Sequence, residues 1–220
     1  MAKITKESRT IVIALLLGNG KIVDNTLVLK HDDKEYLEYI RHALKKHGIN
    51  TTNVIDFHNI DPKDFTNFKI EDFATNETEL QQITNRDFSQ LPRYGLRTYK
   101  HKFMSVYKCM TYGGKIRKRW LNRFLPLHLA ILYMEIGSIV YKRNDNNIHR
   151  VNLLLKTLTT QEYNQIIIDW LQERWNLSFF QKRYHDQYIL CCGANTARRF
   201  CRIIAKYICP SMEYKLINTD

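Results

Sequence analysis

The stretch Ile11-Val-Ile-Ala-Leu-Leu-Leu-Gly-Asn-Gly-Lys-Ile22 constrains this chain more than any other. It reads as one buried helix that breaks at glycine. A second stretch of the same make, Leu129-Ala-Ile-Leu-Tyr-Met-Glu-Ile-Gly-Ser-Ile-Val140, lies far downstream, again with a small residue early and a glycine where the helix must stop. Two such segments in one chain predict two similar halves. Ala14 and Gly18 stand four apart on one face of the first helix, the spacing that lets another backbone pack unusually close. The expectation is that the two helices pack on each other.

Between and after these helices the pattern is α+β. Lys21 to Lys30 reads as a hairpin turning at Asp24-Asn25. Asp32 or Asp33 can cap an amphipathic helix that runs to about His47 and stops at Gly48. Asn53 to Phe57 reads as a strand, Asn59 to Gln90 as an elaborated loop tacked down by Phe65, Phe68, Phe73 and Phe88, Leu96 to Tyr99 as a strand, and Lys102 to Thr111 as a helix. A basic run, Lys115-Ile-Arg-Lys-Arg-Trp-Leu-Asn-Arg123, then leads to Pro126 and the second apolar helix. The order repeats downstream: strand residues around His149 to Thr157, a helix opened by the capping box Thr159-Thr-Gln-Glu162, a strand pair turning at His185-Asp186, and a basic amphipathic helix from Asn195 to Ile208. Each half is therefore helix, strands, helix, strands, helix.

In this arrangement the chain resembles the LAGLIDADG homing endonucleases in their single-chain, two-motif form. Arg97-Thr-Tyr-Lys-His-Lys-Phe103 and the ending Ile208-Cys-Pro-Ser-Met-Glu-Tyr-Lys-Leu216 are similar to the corresponding segments of that family. The resemblance implies a pseudo-symmetric duplicated fold, two αββαββα halves with saddle-shaped antiparallel sheets, divided as residues 1–114, a basic linker 115–125, and residues 126–220. It also implies that the last acid of each central helix holds a divalent ion for phosphodiester hydrolysis. Here Asn19 stands in the first acidic slot and Ile136 in the second, 117 positions apart, with Glu135 just before the latter. Neither slot holds an acid. The residues that could serve catalysis are Glu135, Lys215 and Lys115, the lysines matching the family's basic residue near each active site. No cofactor is expected, and Mg²⁺ enters only if cleavage survives.

Charge directs the remaining expectation toward binding. The net charge is +12, yet residues 1 to 92 carry 12 basic and 14 acidic side chains while residues 93 to 220 carry 22 basic and 8 acidic. A one-sided basic excess on a folded chain attracts a polyanion. The resemblance places such contacts on sheet hairpins: Lys142, Arg143, Asn147, His149 and Arg150 on one, Lys182, Arg183 and Tyr184 on another. Lys115, Arg117, Lys118 and Arg119, with the helix face Arg198, Arg199 and Arg202, suit RNA phosphates. The partner expected is nucleic acid, RNA ahead of DNA, bound by a monomer or a part of a larger ribonucleoprotein such as an intron maturase. An active metal-dependent DNA endonuclease and a DNA-binding regulator are the alternatives.

Five cysteines without CxxC spacing read as reduced core residues, and the eight histidines form no HExxH or HNH-like cluster. The amino terminus has no hydrophobic signal core, and the apolar run Ile11 to Leu17 is too short to cross a bilayer. Neither secretion nor a membrane partner is expected. An organelle-encoded chain would stay in the mitochondrial matrix or another organelle, and otherwise the setting is a phage or the cytoplasm.

Overall fold

The computed structural model describes residues 4–60, 69–85, 87–110, 115–144, 147–185 and 187–217, without the side chains of 142–151 and 158. The chain divides into two compact units, Met1–Val12 with Asn19–Thr111, and Ile13–Gly18 with Tyr112–Asp220.

In the first unit, Thr5 and Ser8 exchange backbone-to-side-chain hydrogen bonds of 3.1 Å that satisfy the start of helix α1, Lys6–Leu17. Strands β1, Lys21–Val23, and β2, Thr26–His31, follow as the expected hairpin. Asp24 and Asn25 both take positive φ, 47° and 61°, the left-handed pair whose twist matches that of the strands. Helix α2, Lys34–Lys46, opens on Asp33, whose carboxylate accepts from the Tyr36 amide at 2.9 Å. The strand expected over Asn53 to Phe57 shortens to β3, Ile55–Asp56, and β4 is Tyr94–Arg97. All pairs are antiparallel, in the order β1-β2-β4-β3. The helix expected from Lys102 is instead a run of 3-10 turns, Lys102–Met110, in which the Ser105 hydroxyl donates to the Lys102 carbonyl.

Strand alternation gives this sheet two distinct faces. Ile22, Leu27, Leu29 and Leu96 share one face, and all are buried, as are Leu37, Ile40 and Leu44 of α2. Val23, Val28, Lys30, Ile55, Gly95 and Arg97 share the other. That second face is not left to solvent. Within the segment expected to be an irregular loop, Ile70–Phe73 forms a 3-10 turn and Glu77–Thr84 a helix, α3, capped by Asn76. Phe73 and Ile83 from these elements join Val28, Ile55, Phe57 and Leu91 in a second apolar core, with Phe88 stacked on Phe57. Phe65 and Phe68 lie outside the described residues. Burying Phe73 and Ile83 stabilises this arrangement by roughly 3–6 kcal/mol. A Cβ at Gly95 would meet the Phe57 and Phe73 rings at 2.5 and 2.9 Å, so only glycine lets them lie on the strand.

Ion pairs complete the cover. Lys30 bonds Glu79 at 2.5 Å, and Arg97 bonds Asp72 at 2.9 Å. Burial alone would raise the Glu79 carboxyl, but the hydrogen bonds from Lys30 and Thr75 outweigh it and hold the group below the ordinary glutamate range. Lys30 is lowered by the same burial, which Glu79 only partly offsets. Such a pair adds little net stability, but it fixes which segment sits on the sheet.

The second unit starts its own architecture with the short helix α4, Lys118–Leu121, whose Trp120 and Leu121 are buried. The central helix α5, Pro126–Ile136, runs straight into β5, Gly137–Asn144, which pairs with β6, Asn147–Thr159, across a register shift at Lys142/Arg143. Helix α6, Gln161–Trp175, is capped by Thr160 and not by the expected Thr159, because Thr159 is still paired in β6 and buried there. Strands β7, Phe180–Tyr184, and β8, Gln187–Gly193, lead to α7, Ala194–Ile204. The strand order is β5-β6-β8-β7, the same permutation as in the first unit. Helices α5, α6 and α7 cover one face, over Leu153, Leu155, Leu190 and Cys192. Burial pushes the Cys192 thiol up to about 12 and raises those of Cys191 and Cys201, which keeps them unreactive core groups; Cys209 is buried and Cys109 exposed.

The close approach expected at Gly18 is present within the second unit. A Cβ there would stand 2.6 Å from Glu135 Cβ and 2.8 Å from its Cγ. Replacing Gly18→Ala should therefore lower stability by about 1–3 kcal/mol, read as a lower urea midpoint at unchanged m-value. The depressed Glu79 carboxyl contributes stability that is complete above the ordinary glutamate pKa and disappears as pH falls through its folded value. Glu79→Gln should flatten the acid-side fall in urea midpoint that the wild type shows between about pH 6 and about pH 3.

Candidate nucleic-acid interface

At the foot of α1, Asn19 lies exposed in the turn that follows the helix. At the foot of α5, Ile136 is only 6% exposed and Glu135 only 8%. The Glu135 side chain runs along the Gly18 backbone, its Oε2 3.2 Å from where a Gly18 Cβ would stand. Lys215 reaches the same helix end from the carboxy-terminal segment, its Nζ donating to the Met134 carbonyl that the end of α5 leaves free. The Tyr133 hydroxyl returns a hydrogen bond to the Lys215 carbonyl. The structure thus brings Lys215 to the backbone of the residue before Glu135, although the two are 80 positions apart in sequence.

The two motif slots offer an amide oxygen and an aliphatic side chain, and this donor set does not fit a pair of divalent ions, which hold to anionic oxygens. Among the described residues no group of three His, Cys, Asp or Glu side chains could hold a metal ion. Lys115 is exposed in the segment before α4. Lys118 is drawn into a 2.7 Å ion pair with Glu173 of α6, and the Arg117 guanidinium sits 5.3 Å over Trp120. Arg119 is exposed. Part of the basic run is therefore folded onto the second unit, although the exposed Lys118 pair adds little to stability.

Among the described residues, the helix-free face of the second sheet is exposed along β7, while Ile189 and Cys191 beside it are buried. Register places Phe180, Lys182 and Tyr184 on that face, opposite Cys191, Ile189 and Gln187, while Gln181 and Arg183 alternate to the other side. Lys182 is exposed, as are Phe180 at 50% and Tyr184 at 47%. The Arg183 Nε donates to the His185 carbonyl, which ties that guanidinium to its own turn. Lys142, Arg143, Asn147, His149 and Arg150 belong to the β5–β6 hairpin, with Lys142 paired across from Arg150; their side chains lie outside those described.

Arg198, Arg199 and Arg202 form the exposed row of α7, whose opposite side buries Ala197, Phe200, Cys201 and Ile204. Since α7 packs on the covered side of the sheet, this row and the β7 residues occupy opposite sides of the unit. They are two surfaces and not one patch. Sequence reading missed the apolar component of the open face, Phe180 and Val140, because alternation alone does not say which side a helix will cover. It also missed that Lys30 and Arg97 of the first sheet meet Glu79 and Asp72, since no periodicity links residues so far apart.

The sequence profile of the LAGLIDADG DNA endonuclease family matches residues 9–200. A probable intron-encoded DNA endonuclease 3 of Mycosarcoma maydis is 26% identical over 134 residues, which span 58% of this chain and 95% of that protein. In structure the chain is similar to the homing endonuclease I-WcaI bound to its DNA recognition sequence, with a TM-score of 0.70 at 19% identity over 100% of this chain and 90% of that one. It is also similar to full-length DUF199/WhiA from Thermatoga maritima, with a TM-score of 0.53 at 10% identity over 97% of this chain and 62% of that one. The two antiparallel sheets in one strand order carry the duplicated fold that these relatives lead one to expect. With the match running from the first central helix into the last helix of the second unit, this chain belongs to the LAGLIDADG DNA endonuclease family.

Proposed function

We propose that this chain is a nucleic-acid-binding protein descended from a homing endonuclease, that it no longer cleaves, and that it is retained to hold RNA as an intron maturase or ribonucleoprotein component. The observation that carries the loss of cleavage is Ile136, a buried aliphatic side chain where the motif needs a carboxylate, matched by the neutral Asn19 in the other slot. Glu135 does not replace it readily. One helical residue turns a side chain by about 100°, and Glu135 is buried against Gly18.

RNA is favoured by the distribution of cations. Arg198, Arg199 and Arg202 lie on a helix face, away from the sheet surface that would read a major groove. Helix-borne arginines suit recognition by shape and backbone contact. A mobile-element origin, in an organelle or a phage, is consistent with an intron-encoded relative. The second reading, a metal-dependent DNA endonuclease using Glu135, draws on the same relatives and keeps a carboxylate at the foot of α5.

Nucleic acid recovered with the protein from its native source should be a discrete RNA, and incubation with Mg²⁺ should leave duplex DNA carrying the recovered sequence intact. Metal-dependent nicking abolished by Glu135→Gln would establish the second reading. Replacing Lys182 and Lys142 together by alanine should weaken duplex binding and reduce the salt dependence by about two phosphate contacts, a change of roughly 1.8 in the log–log slope.

A further inference from the structure

The two sheets share one strand order, yet their equivalent faces meet different fates. In the second unit the face away from the helices carries exposed Phe180, Lys182 and Tyr184. In the first unit the corresponding face carries Lys30 and Arg97, and it is covered by Ile70–Phe73 and α3 from the same chain. The cover matches the sheet in two independent ways. Phe73 and Ile83 fill its apolar centre against Val28, Ile55 and Phe57, and Asp72 and Glu79 supply carboxylates to Arg97 and Lys30.

We infer that the segment from Ile70 to Thr84 is a built-in phosphate mimic that permanently occupies the first sheet, so that nucleic acid is engaged through the second unit alone. A phosphate at Lys30 or Arg97 would first have to displace a carboxylate already bonded there. Displacement would also lift buried Phe73 and Ile83 into water and uncover Val28, Ile55 and Phe57. A few new bonds to phosphate could not offset that loss, because interactions with the nucleic-acid backbone are weak singly and screened by salt. The glycine at 95 supports a fixed arrangement over a gate, since the two rings rest on backbone that admits no Cβ. The insert also answers the charge of this face, because its Asp72 and Glu79 pair with Arg97 and Lys30.

The closed face is tested in the full-length protein with Cys109→Ser and Val28→Cys together, which leaves one introduced thiol beneath the cover and removes the exposed native one. Labelling of the Val28→Cys thiol by a small alkylating reagent should proceed only at the rate set by global unfolding, and Ile55→Cys serves the same purpose should the first variant fail to fold. Labelling much faster than global unfolding would overturn a permanent cover. The restriction to the second unit rests on the nucleic-acid reading above, and is tested with a mixed-sequence DNA duplex and a mixed-sequence RNA. Neither should speed labelling, and Lys21→Ala, at the residue that pairs with Val28 on the covered face, should leave the salt slope unchanged while Lys182→Ala lowers it. Accelerated labelling on binding, or a slope lowered by Lys21→Ala, would refute the inference. Failure of both nucleic acids to bind would overturn the restriction together with the binding reading, while labelling of the free protein would still decide whether the face is closed.

Discussion

The rest of this structure depends on the burial of two helices that have no polar face to give to water. From Ile11 to Leu17 every side chain is buried, and from His128 to Ile136 the same holds. Such helices cannot stand at a surface, so each must be wrapped by sheet and by other helices. The close packing of Gly18 on Glu135 shows how tightly that is done. With hydrogen in place of a methyl group, the backbone at the end of α1 comes within reach of a side chain on α5. The same contact that stabilises the second unit also holds the one acid near the motif slot under a neighbouring backbone.

Duplication gave both units one topology, and subsequent sequence made them differ. In both units one regular helix, α2 or α6, joins the second and third strands, but in the second unit only His185 and Asp186 separate the third strand from the fourth, and β7 stays exposed. In the first unit, the excursion between β3 and β4 is long enough to fold back over the sheet. It brings aromatic and aliphatic side chains to a face that would otherwise expose Val23, Val28 and Ile55. Apolar burial supplies the stability and the carboxylates supply the register, since a buried ion pair costs nearly as much desolvation as it returns in attraction.

At the foot of α5 a lysine and a helix end satisfy each other. A lysine near two metal-bound oxygens would balance phosphate charge, but Lys215 here donates to the Met134 carbonyl, one of the acceptors that every helix end leaves unmatched. Tyr133 closes the arrangement from the helix side, and burial raises its hydroxyl well above the ordinary tyrosine range, so it remains a neutral donor. These bonds anchor the segment around Lys215 to the central helix.

Much of this was legible in sequence because it is local. The hairpin at Asp24-Asn25, the Asp33 cap, the glycine after each central helix and the strand pair that turns at His185 follow from turn chemistry, capping and alternation, all of which act over a few residues. The substitutions Asn19 and Ile136 needed no coordinates at all. Only tertiary structure decided that Ile70 to Thr84 covers a sheet instead of looping through solvent, that Asp72 and Glu79 meet Arg97 and Lys30, that Lys215 caps α5, and that the α7 arginines face away from β7. The physical reason is common to all four. Each joins groups separated by many residues or assigns a side chain to one of two faces, and neither choice leaves a period in the sequence; it is made by what packs against what.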